Sequence, residues 1–299
     1  MRNRKIGMIG LDTSHATAFT KLLNDPTNPF FVKGGKVTIA CPVGSSDFEL
    51  SYSRIEAITK EVEQYGVQLV KTIEEVAETC DAILLESVDG RVHLEQVKKL
   101  VGYQKPLFID KPLCLSFSEA IEIVKLSEQY GTPIMSSSAL RFAEEVRQAL
   151  AIQDKGKIIG ADCFGPMDMV DTQPGYFWYG IHAIEMLYAI LGCGAQQVTT
   201  VSTVHSDLIV SQWEDGRIGS ARGSRGGNGE FGAIIHFEKG SHFVSISSSS
   251  KPFYASLLEE IIRFFNTGQS SVPLHETQEI IRFIEAANES KDTGKRVNL

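Results

Sequence analysis

The chain is short of cysteine, of positive charge and of long apolar runs, and each shortage excludes a class of protein. Its five cysteines (Cys41, Cys80, Cys114, Cys163 and Cys193) are odd in number, widely spaced and include no C-x-x-C pair. They read as reduced thiols in a cytoplasmic protein, not as a disulfide framework or a zinc site. Net charge is −8, with −3 on residues 1–150 and −5 on the remainder, so neither half is a basic nucleic-acid module. No stretch approaches the ~18 consecutive apolar residues of a membrane helix. The basic start, Met-Arg-Asn-Arg-Lys, precedes an apolar stretch, Ile6–Leu11, that is too short for a secretory signal and runs into Asp12 and His15. A first β-strand explains it.

What is present suffices for two domains: 299 residues, 42% hydrophobic and 22% charged, at ~150 residues per domain. Up to residue 137, short apolar runs (Lys5–Leu11, Val37–Cys41, Ala82–Leu85, Pro106–Ile109, Pro133–Met135) alternate with helical patterns (Ala16–Leu23, Arg54–Tyr65, Ile73–Glu78, Leu94–Val101, Ser118–Tyr130). This alternation predicts an α/β domain over residues 1–137 with a doubly wound parallel sheet. Gly66 and the Gly131–Pro133 pair stop the helices that precede them.

From residue 138 the texture changes. Strand-like segments dominate (Lys157–Phe164, Gln197–His205, Asp207–Trp213, Arg217–Ala221, Gly232–Phe237, His242–Ser247), with helices over 142–152, 181–191, 253–266 and 275–290. Runs of strands after βα units predict an α+β domain, residues 138–299, with a mainly antiparallel sheet. Glu214-Asp215-Gly216 and Glu238-Lys239-Gly240 read as hairpin turns. The Gly-rich stretch Gly223–Gly229 reads as a mobile hairpin loop, or as a loop that closes over an anionic ligand.

Two places carry polar groups suited to ligand chemistry at strand ends. The first strand runs into Gly10-Leu11-Asp12-Thr13-Ser14-His15 and then a helix, an arrangement that directs free N–H groups and the helix dipole at a phosphate. Of the G-x-G-x-x-G fingerprint only Gly10 remains, and Asp12 opposes a diphosphate unless its side chain turns away; plain helix capping is the rival reading. The second strand ends without the acid that binds an adenosine ribose, which leaves both NAD and NADP open, with Ser45, Ser46 or Arg54 available to a 2′-phosphate. At the end of another predicted strand, Phe108-Ile109-Asp110-Lys111-Pro112-Leu113 would aim Lys111 into the ligand crevice of an open sheet. There it acts either as an acid/base group or as a surface lysine paired with Asp110.

A third place, Tyr176-Phe177-Trp178-Tyr179-Gly180-Ile181-His182-Ala183-Ile184-Glu185, sets His182 and Glu185 on one helix face, where the carboxylate could fix the imidazole tautomer. A buried structural histidine is the plain alternative, and the aromatics form a stacking wall for a sugar ring or simply core. His205, Asp207, His236 and His242 make no compact ligand motif, so no metal is expected. Neither a G-x-S-x-G elbow nor a nucleophilic Cys signature occurs.

Taken in order, these segments resemble the Gfo/Idh/MocA oxidoreductases. The resemblance rests on Lys5–Gly10 as first strand, on Asp89-Gly90-Arg91-Val92-His93 before a helix, and on Asp110-Lys111-Pro112-Leu113 in place of that family's Glu-Lys-Pro box. It continues through Ser116–Gly131, Pro133–Phe142 with its Leu-Arg-Phe, the Gly180–Leu187 helix and Ala286–Leu299. It implies a Rossmann domain followed by an α+β domain whose large open sheet mediates homodimer or homotetramer contacts. It further implies a cytoplasmic enzyme that moves a hydride between NAD or NADP and a carbon of a sugar, cyclitol or related polyol, with no nucleic-acid or membrane partner.

The family lysine and histidine map onto Lys111 and His182, which would bind the reacting hydroxyl and relay its proton. Gly10, Asp12, Thr13, Ser14, His15, Ser45, Ser87, His93, Asp110, Lys111 and Pro112 map to the cofactor side. Lys111, Arg141, Trp178, Tyr179, His182 and Glu185 map to the substrate side. The chain departs from the pattern in its degraded glycine fingerprint, in Asp110 at the head of the box, and in Trp178, where many members carry an aspartate four residues before the histidine. Two alternatives follow from these departures. One is a glycoside-cleaving enzyme that uses bound NAD for transient oxidation, and the other a non-catalytic sugar or dinucleotide sensor.

Overall fold

The computed structural model describes residues 3–246 and 250–299, which form two compact units. Of these, the first contains residues 3–114, 118–137 and 254–275, and the second residues 115–117, 138–246, 250–253 and 276–299. Residues 254–275 therefore cluster with the first unit, whereas the sequence reading kept them in an unbroken block from 138 to 299.

The first unit alternates β1 (Arg4–Ile9), α1 (Ser14–Asn24), β2 (Gly35–Cys41), α2 (Glu49–Tyr52), α3 (Ile55–Glu63) and β3 (Gln68–Leu69). It continues with α4 (Ile73–Thr79), β4 (Ala82–Leu85), α5 (His93–Leu100), β5 (Leu107–Ile109), α6 (Phe117–Tyr130) and β6 (Ile134–Ser136). All strand pairs are parallel, in the order β3-β2-β1-β4-β5-β6. This is the dinucleotide-fold order, with its reversal point between β1 and β4. Every residue of β4 and β5 is buried, as a sheet covered on both faces requires. Helices stop where expected: Gly66 and Gly131 take φ of 76° and 64°, which residues with a Cβ rarely adopt.

The second unit comprises α7 (Glu144–Leu150), β7 (Ile158–Pro166), α8 (Gly180–Leu191), β8 (Ala195–Ser202), β9 (Ser206–Trp213), β10 (Ile218–Ser224), β11 (Gly232–Phe237) and β12 (Gly240–Ser245). The chain ends with α9 (Phe253–Thr267), most of which belongs to the first unit, α10 (Leu274–Thr293) and β13 (Val297–Asn298). Buried Leu257, Leu258, Ile261, Ile262, Phe264 and Phe265 explain why α9 must pack. A Cβ on Gly35 would stand 2.8 Å from Ile262, so α9 lies directly on the start of β2.

The second sheet runs β12-β11-β7-β10-β9-β8-β13 and is antiparallel except for the β7–β10 pair. Both acidic turns are hairpins, β9–β10 and β11–β12. The Gly-rich stretch is not, because β7 lies between β10 and β11. That stretch leaves β10 and crosses over β7 to reach β11, and Arg225 at its start is ion-paired to buried Asp207. The strand expected over His242–Ser247 ends at Ser245, and Ser247 lies outside the described residues.

Candidate active site

Gly10 ends β1 with φ of 87°, and a Cβ there would stand 2.4 Å from the Ser87 nitrogen and 2.6 Å from its Cα. Only glycine lets the turn press this closely on the residues that follow β4. Thr13 caps α1, its hydroxyl accepting from the His15 N–H at 3.4 Å, and Ser14 opens the helix on the surface. Asp12 turns inward, where its carboxylate accepts from the Ser51 hydroxyl at 2.6 Å and the Val88 N–H at 3.1 Å. Burial pushes this carboxyl up, against those hydrogen bonds.

The loops after β4 and β5 are tied together. His93 is buried, its Nε2 lying 2.8 Å from the Ser87 carbonyl oxygen and its Nδ1 2.9 Å from that of Pro112. The Ser87 hydroxyl accepts from Gln96 at 2.9 Å. Ser45 donates to Asp89 at 2.6 Å, and Arg91 joins Asp89 to Asp47. Asp47, the first acid after β2, is thus held by an arginine.

Asp110 is buried directly after β5. Its Oδ1 accepts from the Lys111 N–H at 2.8 Å, its Oδ2 lies 2.7 Å from His15 Nδ1, and the Lys111–Pro112 peptide is cis. Burial pushes the Asp110 carboxyl up, but the attraction and hydrogen bond of His15, with Lys111 behind them, leave it below the usual range. Burial lowers the pKa of the Lys111 ammonium, against the raising effect of Asp110. Glu86, which no motif singled out, is fully buried beside them, and neither of its carboxyl oxygens has a hydrogen-bond partner among the described residues. Burial, then the charges of Asp110 and Asp12, push Glu86 well above the carboxylate range.

In the second unit His182 Nδ1 lies 2.7 Å from the Ser138 hydroxyl, and its ring meets Tyr179 and Phe231 edge-on at 5.4 and 5.7 Å. Trp178 is buried next to Tyr179. Glu185 shares the face of His182 as the spacing predicts, yet its carboxylate is engaged by Arg141 at 2.7 Å, and the same guanidinium also grips Glu276. Burial pushes the Glu185 carboxyl up, against Arg141. Ser138, Glu276 and Glu86 escaped the sequence reading because each is a single polar residue with no motif around it. The only signal was Glu86 breaking the apolar run Ala82–Leu85.

On the first unit the structure brings Gly10, Asp12, His15, Ser87, His93 and the Asp110–Pro112 box together at one end of a parallel sheet, and links Ser45 to Asp89. On the second it groups Trp178, Tyr179 and His182, and joins Arg141 to Glu185. Lys111 and His182 belong to different units.

Strand order, the Gly10 turn and the box define a Rossmann-type dinucleotide-binding protein. Residues 4–138 match the model of the Gfo/Idh/MocA family, described as an oxidoreductase family with NAD-binding Rossmann fold. This meets the expectation of a nicotinamide dinucleotide as cofactor.

A sequence search among curated proteins returns no match. Among solved structures the fold is shared over the whole chain. Scyllo-inositol dehydrogenase from Lactobacillus casei, with bound NAD(H) and scyllo-inositol, has 16% identity and a TM-score of 0.79, with 99% of each chain covered. Myo-inositol 2-dehydrogenase from Lactobacillus plantarum has 17% identity and a TM-score of 0.79, with 100% of each chain covered. GenD2 from gentamicin A biosynthesis, in complex with NAD, has 14% identity and a TM-score of 0.78, covering 100% of this chain and 97% of that one.

Proposed function

We propose that the protein moves a hydride between NAD(P) and a CH–OH carbon of a polyol, cyclitol or sugar. The observation that carries this reading is the Asp110-Lys111-Pro112 box at the carboxyl end of β5, where Lys111, its pKa lowered by burial, follows an Asp110 held against His15 in the first turn of α1. The inositol-acting enzymes among the structural neighbours support the substrate class.

The turn suits a dinucleotide on three counts. Gly10 keeps side-chain bulk out of the close packing against Ser87, α1 offers N-terminal N–H groups beside Thr13 and Ser14, and Asp12 is directed inward. When bound, the nicotinamide supplies the hydride acceptor or donor. Lys111 hydrogen-bonds the reacting hydroxyl, and its lowered pKa favours the neutral amine that takes the proton. On the second unit His182, oriented through Nδ1 by Ser138, is the other acid/base group of this reading. Trp178 and Tyr179 offer aromatic surface to a polar ring. Arg141 and Glu185, bound to each other, hold α8 and with it His182.

Self-association through the second sheet belongs to the same reading. The sheet face that carries Phe164, stacked on Phe243 at 6.1 Å, also bears exposed Val201 and Ile218, an apolar surface of the kind interfaces cover. Light scattering after gel filtration gives a dimer or tetramer if this holds. No helix among the described residues is long and apolar enough to cross a membrane.

The test of the activity is a screen of cyclitols and sugars with NAD and NADP. It is followed by nicotinamide absorbance, with dinucleotide affinity measured separately by calorimetry. Turnover that requires Lys111 supports the reading, and absence of dinucleotide binding ends it.

A further inference from the structure

We propose that His15, Glu86 and Asp110 form a binding site for one divalent transition-metal ion on the first unit. Each offers one ligand atom, an imidazole nitrogen and two carboxylate oxygens, and all three atoms lie within 4.8 Å of one another. They come from the first turn of α1 and from the residues directly after β4 and β5, strands that pair with each other in the sheet. A site built on strand ends and a helix holds its geometry better than one built on loops.

A second observation points to a ligand independently of the clustering. Glu86 is fully buried, and neither carboxyl oxygen meets a hydrogen-bond donor among the described residues. A buried carboxyl group without a partner is costly and calls for a bound species to satisfy it. Its Oε2 points toward the pair, 3.9 Å from His15 Nδ1.

The surroundings complete the site. Phe19 stacks on the His15 ring at 5.6 Å and Tyr254 meets it edge-on at 4.8 Å, which fixes the imidazole plane. Asp110 is oriented by the Lys111 N–H on its other oxygen. Outer contacts of this kind aim metal ligands. One imidazole with two carboxylates favours manganese, iron or zinc over magnesium or calcium, and three protein ligands leave positions open for water or a ligand oxygen. The ion would also offset the carboxylates gathered where the strand ends of an open sheet receive anionic ligands.

The proposal goes beyond hydride transfer and is tested without dinucleotide, so it stands or falls separately. The full chain is stripped with chelator and titrated calorimetrically with Mn²⁺ and with Zn²⁺. Bound metal is counted by mass spectrometry, and Mn²⁺ is followed by electron paramagnetic resonance. The expected result is one ion per chain, with binding weakened more than about tenfold by Glu86→Gln and by His15→Ala. Circular dichroism checks that each variant is folded, and should one fail to fold, the other decides. Failure of the wild-type chain to take up either ion overturns the proposal, as does equal uptake by the variants. In the first case a water or a shared proton satisfies Glu86.

Discussion

His15 Nδ1 lies 2.7 Å from Asp110 Oδ2, so the residue in the third glycine position of the phosphate-loop fingerprint is fastened to the acid that heads the lysine box. The degraded fingerprint is therefore matched by a new contact that joins α1 to the end of β5. His15→Ala leaves a buried carboxylate with its backbone partner only, and should destabilise the chain by about 1–3 kcal/mol. Denaturant unfolding with and without the substitution measures this, and an unchanged midpoint would show that the contact has no energetic weight.

Gly10→Ala brings two penalties: a positive φ, and a Cβ 2.4 Å from the Ser87 nitrogen. The first alone costs about 1–2 kcal/mol. Gly66→Ala is the control, since Gly66 also has positive φ but nothing within 4 Å of a Cβ. Thermal melts should show the larger drop for Gly10→Ala, by several degrees, together with weakened dinucleotide binding. Equal drops would mean that the packing on Ser87 relaxes freely.

Arg141→Met strands Glu185 and Glu276 without their cation. Breaking a buried pair from one side costs about 3–5 kcal/mol. The loss should appear in unfolding free energy and be partly restored by adding Glu185→Leu, while KM of the folded enzyme changes little. A raised KM with unchanged stability would instead assign Arg141 to the substrate.

Asp207 gives the second unit an acid-sensitive link. Burial pushes its carboxyl up, but hydrogen bonds from Arg225 and Ser202 more than offset this and hold it below the ordinary value of 3.8. A carboxyl lowered by folding contributes stability that is fully present above that value. The contribution is lost as pH falls through the folded pKa, because the unfolded chain takes up the proton first. Asp207→Asn should therefore be less stable than wild type at neutral pH, with the gap narrowing as pH falls below 3.8. Urea melts across that range measure it, and a gap that is constant with pH would contradict the charge assignment.

The sequence made the first sheet legible because strands covered on both faces are written as apolar runs, and Ala82–Leu85 and Leu107–Ile109 need no other signal. Lys111 and His182 stand out as candidates in the sequence because each lies in a short ordered motif. The route of Gly223–Gly229 was not, since periodicity reveals a strand but not its neighbour, and the parallel β7–β10 pair between hairpins leaves no local mark. Glu185 was placed on the correct face, but its partner Arg141 is chosen by tertiary packing. Glu86 meets its neighbours, and Ser138 meets His182, only across long stretches of chain, and one polar side chain in a strand-end loop carries no pattern.

The most direct measurement is hydride transfer by wild-type protein and by Lys111→Ala, assayed against cyclitols and sugars with NAD and NADP. Wild type should bind a dinucleotide and turn over at least one such substrate. Lys111→Ala should keep its fold and its dinucleotide affinity while kcat falls by about 10²–10⁴, the range for loss of a general acid/base. Turnover by Lys111→Ala at the wild-type rate would contradict the account, as would a folded wild-type chain with no affinity for either dinucleotide.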